Sequence, residues 1–455
     1  MTPDLRGSAV TGFALHAPER GKVEAIPETV IEIDDLGAIA TVHRPGDPGH
    51  AAAQRAALTL PAGTILLPGL VDLHIHAPQY PQLGTALDLP LEEWLENYTF
   101  PLEARYADTE FADRVYRALV ADLLACGTTT AVYYATIHDA ATCRLADICI
   151  EAGQRAFVGR VAMDHPEMCP DHYRDASAEA AIAGTRAVID HIRAHPGNPG
   201  ARVRPMITPR FIPSCTDELL AGLGELARET GVAVQTHASE GDWEHAHVLA
   251  RHGMTGTASL DRFGLLPPGS VIAHGCHMSA EDMTLLARRE AAVAHCPWSN
   301  AYFGGAVFPL RRALGLGVRV GLGSDISGGP LASLLDTARL ALAAARMLEA
   351  GTDAGLPPGE RSRHGAARID AVTAFFLATA GGGEALGLPV GRFAPGQRFD
   401  ALLVDPAAPQ GMLRLWEPPE ATDPARLLER LLHGTARANI AASFVDGRRV
   451  APVAA

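Results

Sequence analysis

The run Leu66-Leu-Pro-Gly-Leu-Val-Asp-Leu-His-Ile-His76 decides how the rest of the chain is read. It is apolar for most of its length, closes on two histidines, and reads as a strand over Leu66–Ile75. A near-continuous apolar run marks a parallel strand buried on both faces. Seven more such runs follow: Thr128–Ala135, Arg155–Ala162, Val203–Thr208, Val232–His237, Ser270–His274, Ala292–His295 and Val318–Gly323. Helix signals lie between them. Asp108–Cys126 spaces Phe111, Val115, Leu119 and Leu123 four apart ahead of Gly127, and Ser279–Arg289 opens on serine with two acids close behind. Ala332–Ala350 is rich in alanine and leucine and stops at Gly351. Eight strand–helix units in series predict an α/β protein built on a (β/α)8 TIM-type barrel. An open doubly wound sheet fits less well, because no G-x-G-x-x-G follows the first strand.

Outside the barrel the pattern changes. Thr29–Ile33 and Ile39–His43 read as strands near one end, Arg398–Asp405 and Ala441–Val450 near the other, the last with an Asp446-Gly447 hairpin turn. Neither end alone has enough strands to bury a core. The two are therefore expected to meet in one small β-sandwich domain, residues 1–66 with 390–455, bracketing a barrel of residues 67–389.

Composition removes several functions. The 455 residues carry 38 Lys+Arg against 52 Asp+Glu, a net charge of −14, and only one of the basic residues is a lysine, Lys22. Lys22 lies in a polar N-terminal stretch, far from any catalytic motif, so Schiff-base chemistry has no nucleophile. A P-loop is ruled out for want of a second lysine. An acidic chain repels a phosphate backbone, so nucleic acid is not an expected partner. No apolar block marks a signal peptide in Met1–Lys22, and no run approaches the ~18–20 residues that cross a bilayer. Cys126, Cys143, Cys149, Cys169, Cys215, Cys276 and Cys296 form no C-x-x-C pair. Reduced thiols in a cytoplasmic protein are the expectation, with no membrane partner.

Barrel chemistry gathers at the C-terminal ends of the strands. The first strand ends on His74 and His76, whose i, i+2 spacing puts both imidazoles on one face. His237 closes the fifth strand, His274 the sixth, and Asp325 follows the eighth. Any one of these alone is more commonly a structural residue; together they describe a metal site. Imidazoles and a carboxylate without thiolate suit Zn²⁺ or Fe²⁺ with a position open for water. His245 and His247 also form an H-x-H, but in a helix-like segment where such side chains diverge, so they read as solvated or packing residues.

The run Pro68–His76 resembles the entry motif of the amidohydrolase superfamily. Its continuation Ala77-Pro-Gln-Tyr80, with Asp88–Trp94 and Tyr98–Pro101, is similar to guanine deaminases. So are Ala135–His138, Thr208-Pro-Arg-Phe211, His237-Ala-Ser-Glu240, Ala273–Cys276, His295-Cys-Pro297 and Gly321–Asp325. The resemblance spans about residue 60 to the C-terminus. It implies a barrel with an appended β-sandwich, one zinc per chain, hydrolysis of guanine to xanthine and ammonia, and a homodimer. Binuclear members of that superfamily bridge their metals through a carboxylated lysine, and this barrel contains none. A mononuclear site is the consistent expectation.

The same resemblance implies roles. His74, His76, His237 and Asp325 are the expected zinc ligands. Glu240 is the proton shuttle, Asp325 also a general base, and His274 polarises the attacking oxygen. Gln79, Arg210 and Phe211 are the expected substrate contacts, with His237 and Glu240 completing that set. Trp94 and Tyr98 read as the apolar core of a lid, while His138 and His277 read as supports or caps. Trp298 and the stretch Ala301–Gly305 depart from the pattern, and Trp298 is expected to edge the pocket. The alternatives are a zinc deaminase of another aminopurine, a pterin or a triazine, and an inactive scaffold relative, which the full ligand set disfavours.

Overall fold

The computed structural model describes residues 4–362 and 364–451; residues 1–3 and 452–455 of the expected β-domain lie outside them. Eight parallel strands form the barrel: Leu70–His76, Thr128–Tyr134, Arg155–Gly159, Val203–Pro205, Gln235–Ala238, Val271–His274, Ala292–His295 and Arg319–Leu322. Their spatial order is the chain order, with the eighth strand paired to the first through Leu322 and Asp72. Isolated bridges Ile207–Val234 and Phe211–His237 join the fourth unit to the fifth and close the ring. The parallel pairing explains the continuous apolar runs. Val132 joins one buried cluster with Val71, Phe157 and Leu386, while its neighbours Ala131 and Tyr133 join another under Leu119 and Leu145.

The helices follow their caps. Asp108 accepts the N–H groups of Glu110 and Phe111 at the head of Thr109–Ala125, and Ser279 and Asp282 form a reciprocal capping box before Ala280–Arg289. Leu334–Ala350 ends at Gly351, whose φ of 71° no L residue adopts cheaply.

The opening run is two strands, not one. Ile65–Pro68 pairs with Phe13–Ala14 and antiparallel with Ala401–Val404, so it belongs to the sheet formed by the chain ends. Leu70–His76 starts the barrel. Gly69 is the joint because a side chain there would lie 2.1 Å from Thr129 Oγ1. The end sheet holds eight strands from both termini in one hydrogen-bonded network, including Ser8–Glu19, which the sequence reading passed over. Asp446 and Gly447, both at positive φ, make the expected two-residue hairpin between Ile440–Val445 and Arg448–Ala451. Arg155 fastens this sheet to the barrel: it donates to Asp400 at 2.8 and 3.1 Å and to Asp446 at 2.6 Å. Among the described residues no helix is long and apolar enough to cross a membrane, and all seven cysteines are free.

Candidate active site

The strand ends converge on one buried cluster. His74 and His76 come from the first barrel strand, His237 from the fifth, His274 from the sixth, and Asp325 from the turn after the eighth. His74 Nε2 lies 3.1 Å and His76 Nε2 3.6 Å from Asp325 Oδ1, and His76 Nε2 is 2.9 Å from His237 Nε2. His274 Nε2 stands 3.9 Å from Asp325 Oδ2 and 3.6 Å from Glu240 Oε2. The Nδ1 atoms of His237 and His274 are engaged behind the cluster. His237 Nδ1 donates to the Arg210 carbonyl at 2.6 Å and His274 Nδ1 to Asn300 Oδ1 at 2.9 Å. The first bond leaves the His237 Nε2 lone pair facing inward. Burial works to lower the His274 imidazole, but Glu240 and Asp325 outweigh it and raise it, so that its Nε2 also bears a proton. Asp72, buried below, accepts the N–H of His74 at 3.2 Å and of Ser324 at 3.0 Å, tying the first strand to the turn that carries Asp325. Tyr134 forms the floor, its ring 4.7 Å from His74 and 4.8 Å from both His76 and His237.

This donor set fits a metal ion. Tetrahedral bonds of 2.0–2.1 Å put neighbouring donor atoms roughly 3.3 Å apart, and the observed 2.9, 3.1 and 3.6 Å bracket that spacing. His74 Nε2 is buried without a hydrogen-bond partner, a costly state that a cation relieves. Nitrogens of His74, His237 and His274 fall within 4.8 Å of one another. The protonation states agree. Burial, with the neighbouring histidines, drives His76 and His237 well below the ordinary imidazole range, so both are neutral ligands. Burial works to raise Asp325, but His74, His274 and His76 outweigh it and hold the carboxyl well below its usual value. Glu240 is displaced the other way: burial raises it, which suits a group that must carry a proton at neutral pH.

A narrow cavity opens over the cluster, walled by Gln79, Arg210 and Phe211 with Trp94 and Phe303. It continues outward into a cavity of about 590 Å³ past Leu95, Cys169 and Trp243. The structure thus brings every expected site residue to one mouth of the barrel. Two local expectations change, those for Tyr98 and Trp298. Trp94 is buried as expected and also lines the cavity, its ring 5.0 Å from Phe303, whereas Tyr98 is exposed and packs in no lid core. Trp298 does not line the cavity; the short helical turn after the seventh strand stacks it on Tyr302 and presents Phe303 instead. His245 and His247 lie on the helix Asp242–His252, stacked on His277 and Trp243, away from the cluster. His138 precedes the helix Asp139–Ala152, where its carbonyl accepts from Thr142. Two residues went unseen in the sequence: Tyr134, hidden within an apolar strand, and Glu103, which holds Arg210 and Gln79 from a helix with no motif of its own.

The barrel, its mouth and the imidazole–carboxylate cluster are those of a metal-dependent hydrolase. The chain belongs to the amidohydrolase family, whose pattern matches residues 65–450. Within that family it groups with guanine deaminases. It is 37% identical to the guanine deaminase of Dictyostelium discoideum over 414 residues, 87% of this chain and 88% of that one. The human guanine deaminase is 37% identical over 85% of this chain and 83% of its own. A crystal structure of guanine deaminase from C. acetobutylicum with bound guanine in the active site is 32% identical. It superposes with a TM-score of 0.85 over 97% of this chain and 99% of that one.

Proposed function

We propose that this protein hydrolyses guanine to xanthine and ammonia, with one zinc ion per chain held by His74, His76, His237 and Asp325. The observation that carries the reading is the inward-facing imidazole–carboxylate cluster, set beneath a cavity walled by Gln79, Arg210 and Phe211. A relative of matching fold holds guanine in its active site. Bound zinc supplies Lewis acidity, which brings the pKa of a coordinated water to near ~7.

The protein's own groups divide the remaining work. Gln79 and Arg210 orient the purine by hydrogen bonds, and Phe211 borders its plane. Glu240, buried and raised in pKa, gives its proton to the ring nitrogen. It then takes the remaining hydroxyl proton of the tetrahedral centre and passes it to the leaving amine, and is recharged by the proton that Asp325 removed from the water. Asp325 takes the proton of the attacking water. His274 donates to the oxygen that becomes anionic at C2, its Nδ1 pinned by Asn300. Ammonia leaves when the tetrahedral centre collapses. The enzyme acts as a homodimer in the cytoplasm, the small-molecule purine its only partner. The test is the absorbance change of guanine to xanthine by purified protein. Turnover requiring one zinc per chain, abolished by chelation and restored by zinc, is expected; no turnover above the metal-stripped control refutes the reading.

A further inference from the structure

Glu103 belongs to the short helix Phe100–Ala104 and is completely buried. It touches none of the metal-centre residues, yet it grips both polar side chains of the cavity wall. Its Oε1 accepts from Gln79 Nε2 at 2.9 Å and from Arg210 Nη2 at 3.2 Å, and its Oε2 accepts from Arg210 Nη1 at 2.6 Å. On the other side, Gln79 Oε1 accepts the backbone N–H of Ser327 at 3.1 Å.

That pair of contacts leaves the Gln79 amide one orientation. A carboxylate only accepts and a backbone N–H only donates. Turning the amide over would set its oxygen against Glu103 and its NH₂ against Ser327, replacing two attractions by two repulsions. Gln79 therefore keeps one free N–H and one carbonyl lone pair. Arg210 has five N–H groups, spends two on Glu103, and has no acceptor at all. The two side chains together keep up to four N–H donors against a single lone pair. Such a wall matches an acceptor edge. In purines the edge carrying O6 and N7 is all acceptor in guanine, whereas a 6-amino group makes it half donor.

We propose that Glu103 is a positioning residue that fixes the hydrogen-bonding polarity of the Gln79–Arg210 wall, and so selects 6-oxo over 6-amino purines. The proposal rests on the purine reading above. Nothing in it depends on the metal: Glu103 acts through two side chains on the wall, and its effect is on which base is accepted.

The probe pair is guanine and 2,6-diaminopurine, which share the 2-amino group and differ at position 6 and, with it, at N1, a donor in guanine and an acceptor in 2,6-diaminopurine. Dissociation constants by calorimetry and kcat/KM are measured for both in the full-length zinc-loaded protein. Glu103→Gln lets the Gln79 amide turn. The preference for guanine is expected to fall by roughly 10- to 100-fold, through the dissociation constant and KM more than through kcat. Glu103→Asp, which keeps the charge, should retain most of the preference. Combined with Gln79→Met, the Glu103→Gln effect should be smaller than it is alone. Should Glu103→Gln not fold, Gln79→Met in the otherwise intact chain carries the test, with the same expected loss of preference. An unchanged preference in folded Glu103→Gln, or in Gln79→Met, overturns the proposal. The two readings fail separately. A protein that binds guanine over 2,6-diaminopurine through Glu103 but releases no ammonia refutes the deaminase reading alone. One that deaminates guanine while ignoring Glu103 refutes this inference alone.

Discussion

Acid should loosen the seam between the N-terminal strands and the segment following the barrel, and His16 sets how far. Its ring is 2% exposed in the strand Ser8–Glu19, and Nδ1 accepts the backbone N–H of Phe393 at 3.1 Å. Nε2 lies 3.4 Å from a Glu24 oxygen. Burial lowers the imidazole from 6.5 to about 4, and Glu24 offsets only part of that. Protonation faces a second obstacle, since a hydrogen on Nδ1 would point at the Phe393 donor. Between pH 6.5 and pH 4 the unfolded chain binds this proton and the folded chain does not. Stability is therefore lost as pH falls through that window and is flat above it. At 1.36 kcal/mol per pH unit, the whole gap corresponds to about 3 kcal/mol. His16→Gln keeps an acceptor for Phe393 and removes the titration. Urea unfolding of both proteins at pH 7 and pH 4.5 isolates the effect, because other acid-labile groups cancel in the difference. Since pH 4.5 stops short of the lower value, the variant should gain about 2.4 kcal/mol on the parent between the two conditions. A difference independent of pH would refute the reasoning.

Two further substitutions probe the site. Glu240→Gln should leave zinc content unchanged, since Glu240 is outside the ligand set, while kcat falls by about 10²–10⁴; undiminished turnover in a metal-replete sample removes Glu240 from proton transfer. Gly323→Ala tests the packing behind a ligand. A Cβ there would lie 2.7 Å from both Cys296 Sγ and His74 Cβ. His74 must move, and zinc affinity measured by chelator competition should drop by roughly 10–100-fold, as when a support behind a metal ligand is lost. Unaltered affinity would show that His74 tolerates the displacement.

The barrel was legible because most of its strands are buried on both faces, which writes the element into composition rather than alternation. The metal-centre candidates were legible for a related reason: His237, His274 and His76 are polar residues at the ends of apolar runs, where nothing in the core needs them. What escaped was whatever depends on contacts between distant segments. Glu103 sits 107 residues from Arg210, and neither residue carries a spacing that points to the other. Gly69 splits an apolar run whose halves serve different sheets, and apolarity does not say which sheet a strand joins. Trp298 looked like a cavity residue because it follows a strand end. A local turn decides otherwise, delivering Phe303 in its place.

The positions that carry chemistry also carry backbone strain, and the two have one cause. Ser239, His274 and Asp325 leave the fifth, sixth and eighth strands at φ of 58°, 74° and 50°, a region where a side chain costs on the order of 1 kcal/mol or more. Glycine would turn these corners more cheaply. At His274 and Asp325 it cannot serve, because the corner is also where an imidazole and a carboxylate must enter the cluster. The turns are instead held by cross-strand bonds: Asp325 N–H to the His74 carbonyl at 2.8 Å, Gly275 N–H to Ala238 at 3.1 Å and His277 N–H to Ser239 at 3.1 Å. Each bond joins the end of one site-bearing strand to the next segment of the site. The hydrogen bonds that sustain the strain are thus the same ones that set the spacing of His74, His237, His274 and Asp325. Loosening any of these turns would be felt as a displaced donor atom before it was felt as lost stability.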